Sequence, residues 1–370
     1  MSMQLQAEIY NEDCIAGMAE RLDPNSVHLT VTSIPFEELF TYSGKVEDVG
    51  NNGSTVDVKT GRFALNLRMF AEQLLRVQAP GTNACIHIQQ LLAYKVQHGF
   101  MGRRDFRGAV IDVFRAAGWN FVGEEASAGL TPPLVTAEDV QMALDQYGDD
   151  PHALTSAIAR MLGIPQPSEV AIHKDPQVMA QRLNLHSLQF KTGYARSSTQ
   201  WAPAVNDYVV IFQKPGEVQT PVKALKHRTN PDGWLTQEDW ICWARGVWDI
   251  DPLDILDGAR SKSLLAGLKE ADHEKHVCPL QKEIIRRCVL LYSNPATIQP
   301  DVLVLDPFMG IGSTAYVTLL NGRNVVGFEL KESYHRQALV AVGAARKILR
   351  EREEDQTEKT LFDAPEGVTA

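Results

Sequence analysis

Val302-Leu303-Val304-Leu305-Asp306-Pro307-Phe308-Met309-Gly310-Ile311-Gly312-Ser313-Thr314 decides the fold of this chain. It opens as an apolar, branched run that suits a buried parallel strand. It then breaks into Asp-Pro and two glycines, which let the backbone turn sharply and approach a ligand with no Cβ in the way. Ser313 and Thr314 are suited to cap a helix, and Ala315 to Leu320 reads as that helix, packed back on the sheet. A second strand, Val325-Val326-Gly327-Phe328, ends in Glu329. An acid at the tip of the second strand of a βαβ unit commonly holds the two hydroxyls of a ribose. The unit is therefore predicted to bind a nucleoside-containing cofactor. The alternative is an ordinary strand–turn–helix without a ligand.

A dinucleotide fold needs G-x-G-x-x-G with the pyrophosphate on the helix N-terminus. Here an acid, Asp306, precedes the glycines. A carboxylate there repels a pyrophosphate but suits the cationic S-adenosylmethionine, near its amino end. The string Asp306-Pro307-Phe308-Met309-Gly310-Ile311-Gly312-Ser313-Thr314 resembles the cofactor loop of DNA amino-methyltransferases. The resemblance implies that Asp306, Pro307, Phe308, Gly310, Gly312, Ser313, Thr314 and Glu329 bind S-adenosylmethionine.

The chain has 370 residues, enough for one large domain with an appendage. Its 44% hydrophobic and 22% charged content is ordinary for a soluble globular protein. There is no apolar run of membrane-spanning length and no signal-peptide pattern. The five cysteines are scattered without a C-x-x-C pair and read as reduced thiols of a cytoplasmic protein, with no zinc site. The net charge of −10 argues against nucleic acid as a partner, but residues 351–370 hold seven acids against Arg352 and Lys359. The body without this tail keeps basic clusters, and the local field matters more than the sum.

Toward the N-terminus, Ile9-Tyr10-Asn11 is a short strand candidate before Glu12-Asp13-Cys14 and a periodic segment from Ile15 to Leu22. Val27 to Thr32 reads as a strand that ends in Ser33-Ile34-Pro35-Phe36. This loop resembles the [SND]-P-P-[YF] catalytic loop of the amino-methyltransferases, with Ile34 in place of the usual proline. The catalytic loop precedes the cofactor loop, an order that resembles the β class of these enzymes. The fold expected is α/β, a Rossmann-like S-adenosylmethionine-dependent methyltransferase sheet in circularly permuted order. The strand at Ile9 would then lie beside that at Val325, with Asp13 and Cys14 near the adenine of the cofactor.

The exocyclic nitrogen of adenine or cytosine is a poor nucleophile, because its lone pair is delocalised into the ring. Acceptors for both amino hydrogens localise that pair and act on the charge that develops as methyl moves. The resemblance implies that Ser33 Oγ and the Ile34 carbonyl do this and that Phe36, after Pro35 in the same catalytic loop, stacks on an extruded base. A serine in first position is more typical of cytosine-N4 enzymes, yet adenine N6 is the commoner target among the phage-like relatives. The reading leans to adenine, with the leaving proton passing to water.

The rest of the chain supplies context. Residues 40–61 read as a loop, Phe63 to Val77 and Ala109 to Ala117 as helices, and Ala84 to Ile88 and Trp119 to Val122 as strands. Arg103, Arg104 and Arg107 form a basic cluster suited to phosphates. Residues 124–170 interrupt the pattern as a helical insertion. His173 to Arg182 and Asp207 to Gly216 resemble a phage- and prophage-associated branch of these methylases, and Lys191 and Arg196 are candidate phosphate contacts. In residues 217–275, Lys223, Lys226 and Arg228 precede Trp234, Trp240, Trp243 and Trp248. Basic residues interleaved with aromatics suit nucleic acid, but tryptophans at this spacing also suit the core of a small helical unit. The segment sits where the β class carries its target-recognition region. The loop His276-Val277-Cys278-Pro279-Leu280-Gln281 lies, in the family, against the methionine end of the cofactor, which implicates His276, Pro279, Leu280 and Gln281. Gln356 to Phe362 loosely resembles peptides that dock on bacterial sliding clamps, inside what reads as an ordinary disordered tail.

The layout expected is a catalytic half (1–123), the insertion (124–170), a core continuation (171–216), the recognition region (217–275), a cofactor half (276–350) and an acidic disordered tail (351–370). The function expected is site-specific methylation of double-stranded DNA, as part of restriction-modification or alone, by a homodimer without metal or membrane. Two alternatives stay open: methylation of RNA or a protein amide, and a non-catalytic DNA-binding regulator that kept the fold.

Overall fold

Apolar strands alternate with amphipathic helices along most of the chain, and a parallel sheet covered on both faces follows from that. The computed structural model describes residues 5–35, 62–89, 91–93, 99, 102–122, 169–173, 207–222, 224–225, 235–243, 247–249 and 279–362. Within them run β1 (Ala7–Tyr10), β2 (Val27–Ser33), β3 (Gln78–Gln89), β4 (Leu91–Ala93), β5 (Gly102–Arg104), β6 (Asn120–Phe121) and β7 (Glu169–His173). They continue with β8 (Asp207–Gln213), β9 (Ala224–Leu225), β10 (Leu235–Thr236), β11 (Val247–Asp249), β12 (Leu303–Asp306) and β13 (Asn324–Phe328). The helices are α1 (Cys14–Arg21), α2 (Arg62–Val77), α3 (Phe106–Ala116), α4 (Gln237–Trp243), α5 (Lys282–Tyr292), α6 (Ser313–Leu320) and α7 (Glu332–Phe362).

The main sheet has the order β1-β13-β12-β2-β3-β8-β7-β11, with β6 also paired to β8. From β1 to β3 every pairing is parallel, whereas β8 is antiparallel to β3, β6 and β7. As expected from the permuted order, β1 lies beside β13, in register from Ala7 opposite Val325 to Tyr10 opposite Phe328. One face carries α1, α2 and α3, through Met18, Phe70, Leu74 and Phe114. The other carries α5 and α6, through Ile285, Val289 and Val317. Helix α7 closes over α6 through Ala338, Val342 and Ala345.

Local chemistry sets the element ends. Asp13 caps α1 by accepting from the Ala16 N–H at 2.9 Å. Asp105 caps α3 by accepting from Gly108 at 3.0 Å, so this helix begins a turn before the expected Ala109. Fully buried Arg323 ties the end of α5 to the turn before β13, donating to the Ser293 carbonyl at 2.6 Å and its hydroxyl at 3.2 Å.

One expectation needs correction. Residues 351–362, read as a disordered tail, continue α7. No glycine or proline interrupts the run from Ala344 to Ala364, its Arg, Glu, Gln and Lys residues are strong helix formers, and Lys347 pairs with Glu351 at 3.7 Å. The described parts of residues 217–275 join the core. Their strand β11 pairs with β7 at the edge of the main sheet. Trp243 and Trp248 are buried there, with the Trp248 indole N–H on the Trp243 carbonyl at 2.7 Å. Both serve as core, and neither is exposed to stack on a base. The insertion at 124–170 lies outside the described residues apart from Glu169 and Val170, which open β7.

Candidate active site

Strand β12 ends at Asp306, which is only 3% exposed. Its Oδ1 accepts from the Thr32 hydroxyl at 2.6 Å and from the Phe308 N–H at 3.0 Å. Burial pushes the carboxyl up to about 6, against hydrogen bonds from Thr314, Thr32 and the Phe308 amide that favour its ionised form. The turn beyond depends on its glycines. Gly312 has φ 90° and sits so close to α7 that a Cβ would lie 2.7 Å from the Ala338 Cα. Gly310 has φ 56°, but among the described residues nothing lies nearer to its Cβ position than the Phe308 carbonyl at 3.9 Å. Among the described residues, the Gly310 side of the turn is thus open and the Gly312 side closed. Gly312, not Ser313 or Thr314, occupies the N-cap position of α6, without a side-chain cap. Those two hydroxyls come one and two residues later, and that of Thr314 turns to Asp306.

Glu329 follows β13, as expected. Its two carboxylate oxygens accept from the N–H of Gly310 at 2.7 Å and of Lys331 at 2.8 Å. These bonds hold the acid beside the glycine turn. A buried carboxylate, an open glycine edge and an acid on the neighbouring strand fit a cofactor with a cationic amino-acid end and a ribose.

Strand β2 runs parallel beside β12, with Val304 opposite Leu29 and Leu305 opposite Thr30. Ser33-Ile34-Pro35 therefore emerges next to the Asp306 turn, and the Thr32 hydroxyl joins the two. Ile34 is 1% exposed and packs in the core, so packing rather than a proline ring fixes the loop here. Phe36 lies outside the described residues.

Two residues not anticipated as functional complete this end of the sheet. Ser33 Oγ lies 2.9 Å from His87 Nδ1, and His87 Nε2 lies 2.9 Å from Asp207 Oδ2. His87 pairs with Ser33 across β2 and β3. Antiparallel β8 starts where β2 and β3 finish, and this brings Asp207 to His87 across 120 residues of sequence. The signal available in the sequence was one polar residue within or beside each apolar run, Ala84-Cys85-Ile86-His87-Ile88 and Asp207-Tyr208-Val209-Val210.

The other expected residues are only partly assembled. Cys14 is packed in the core at the start of α1, and burial pushes its thiol up. Asp13 is engaged as the α1 cap. Pro279, Leu280 and Gln281 lead into α5, with Gln281 at its N-cap, and His276 lies outside the described residues. Arg104 and Arg107 are half-buried, with the Arg107 guanidinium 5.3 Å from the centre of the Tyr208 ring, beside Asp207 in sequence. Arg103 lies on β5. Lys191, Arg196, Lys223, Lys226 and Arg228 lie outside the described residues. A cavity of about 970 Å3 lined by His28, Pro80, Val218 and Asp301 opens at the opposite end of the parallel strands, away from this chemistry. Among the described residues no helix is long and apolar enough to cross a membrane, and no group of three His, Cys, Asp or Glu could hold a metal ion.

Fold and site together define the class: an α/β sheet of the methyltransferase kind, with the Ser33 loop ahead of the Asp306 loop in the sequence. The same fold is found in TTHA0409 of Thermus thermophilus, described as a DNA modification methylase and solved with S-adenosyl-L-methionine, at 16% identity and a TM-score of 0.51 over 92% of this chain and 96% of that one. It is also found in the PvuII DNA methyltransferase, described as cytosine-N4-specific, at 14% identity and a TM-score of 0.50 over 91% and 86%. Residues 172–340 match the family model described as DNA methylase. The type II methyltransferase M.BglI of Bacillus subtilis is 32% identical over 130 residues, 35% of this chain and 28% of the relative. Over residues 172–340 the chain is similar to the DNA methylases of this family. The matched stretches span less than a third of the length of the curated relatives.

Proposed function

We propose that this protein transfers a methyl group from S-adenosylmethionine to an exocyclic amino group of a base flipped out of double-stranded DNA, N6 of adenine or N4 of cytosine. The observation that carries this is the adjacency of two loops at the carboxyl ends of β2 and β12, bridged by Thr32 and Asp306 at 2.6 Å. When bound, the cofactor supplies an electrophilic methyl on a sulfonium. Asp306 and the Gly310 edge hold its amino-acid end, and Glu329 its ribose. Ser33 Oγ and the Ile34 carbonyl accept the two amino hydrogens of the base, which localises the nitrogen lone pair toward the methyl. Holding donor and acceptor in line is then the main task of the protein. Arg104 and Arg107, near the start of β8, contact DNA phosphates in this reading. Adenine remains the favoured base from the sequence, and a homodimer the favoured assembly, which sedimentation tests.

The test separates binding from transfer. Asp306→Ala should weaken S-adenosylmethionine binding at least about tenfold, the loss of one charge-assisted contact. Ser33→Ala should bind the cofactor as wild type and slow single-turnover transfer on the order of a hundredfold. Unchanged transfer in Ser33→Ala would show the acceptor to be misassigned.

A further inference from the structure

A buried imidazole bridging the acceptor hydroxyl and a buried carboxylate has no part in binding the methyl donor. A carboxylate oxygen only accepts, so His87 Nε2 carries the proton on the Asp207 side, at 2.9 Å. Nδ1 of the neutral ring is then an acceptor, and the Ser33 hydroxyl donates to it at 2.9 Å. This leaves the lone pairs of Ser33 Oγ for the amino hydrogen of the base. His87 is 8% and Asp207 2% exposed, so bulk water does not replace either contact.

We propose that His87, backed by Asp207, takes up through Ser33 the proton that the amino nitrogen loses on methylation. The proposal rests on the methyl-transfer reading. As the amino nitrogen bonds to the methyl carbon, the carbon–sulfur bond breaks and its electron pair stays on sulfur as a neutral thioether; the nitrogen gains positive charge and gives one proton to Ser33 Oγ, while the Ser33 hydroxyl proton passes to His87 Nδ1. Positive charge that entered on the sulfonium ends on an imidazolium beside the Asp207 carboxylate, where it is stabilised without exposure to solvent. The ring returns this proton to water once product has left. Ser33 touches the substrate, and His87 acts through it as a positioning and relay residue. Charged groups on neighbouring elements include Asp306, on β12 behind Thr32, and Arg107, on α3 against Tyr208. The expectation that the proton leaves directly to water gives way to this path.

The test uses the full chain, S-adenosylmethionine and unmethylated mixed-sequence duplex DNA, with single-turnover rates measured across pH and cofactor binding measured on each sample. In His87→Gln the amide bridges Ser33 and Asp207 by the same two bonds but takes no proton. It should bind the cofactor within about twofold of wild type, lose on the order of a hundredfold in rate, and show a pH–rate profile that differs from that of wild type. Asp207→Asn gives a second reading, keeping a bond to the ring without the charge, and should slow transfer about tenfold with cofactor binding retained. Wild-type rate and pH profile in either variant overturn the relay and leave methyl transfer standing. A wild-type protein that binds cofactor but transfers no methyl to any duplex overturns the functional reading, and the relay with it.

Discussion

Asp306 is asked to do two opposed things. Its burial raises its pKa to about 6, so the folded protein holds that proton over a range where the unfolded chain has released it. Between roughly pH 4 and 6 the native state binds more protons, and stability falls as pH rises through that window, by at most about 3 kcal/mol. A cation on the carboxylate favours the ionised form, so cofactor affinity should rise with pH through the same window. Calorimetric titration should show S-adenosylmethionine binding tightening from pH 5 to 7 and levelling above, with the slope gone in Asp306→Asn. A flat wild-type profile would mean that the cofactor's positive end lies elsewhere. This acid was legible in the sequence because it stands directly before two glycines after an apolar run. Thr32, His87 and Asp207 were not. A threonine or histidine within a buried strand reads as ordinary filling until strand register shows what it faces, and Asp207 meets His87 only because β8 runs antiparallel.

Elements were legible where hydrophobic period and capping agreed, and their limits moved where one residue overruled the period. α5 falls at the expected Lys282 to Tyr292. The start of α3 is set by the Asp105 cap, and the start of α6 by the left-handed Gly312. Gly312→Ala should destabilise the protein by about 2–3 kcal/mol, since both its positive φ and the α7 backbone oppose a Cβ. Gly310→Ala has the φ penalty without the clash, so it should cost only about 1 kcal/mol in denaturant unfolding. Its methyl would occupy the space left for the cofactor, however, and binding should weaken more than stability. Equal unfolding midpoints for the two variants would refute this division of labour.

The permuted order could be read at the scale of the whole chain, because each loop is a local string and only their sequence order had to be noticed. What could not be read was that residues 247–249 would return to the main sheet, since a three-residue strand has no periodic signal of its own. The N-terminal and C-terminal segments share one sheet through β1 and β13 and through β2 and β12. Unfolding should therefore be a single transition, raised by S-adenosylmethionine by about 2.7 kcal/mol at a hundredfold excess over its dissociation constant. Two thermal transitions, only one of them sensitive to cofactor, would show the halves to be independent. The most direct measurement is transfer of labelled methyl from S-adenosylmethionine to mixed-sequence duplex DNA, with separation of the product nucleosides. Label in N6-methyladenine or N4-methylcytosine is the expected result. Unlabelled DNA, with cofactor binding confirmed in the same sample, would contradict it.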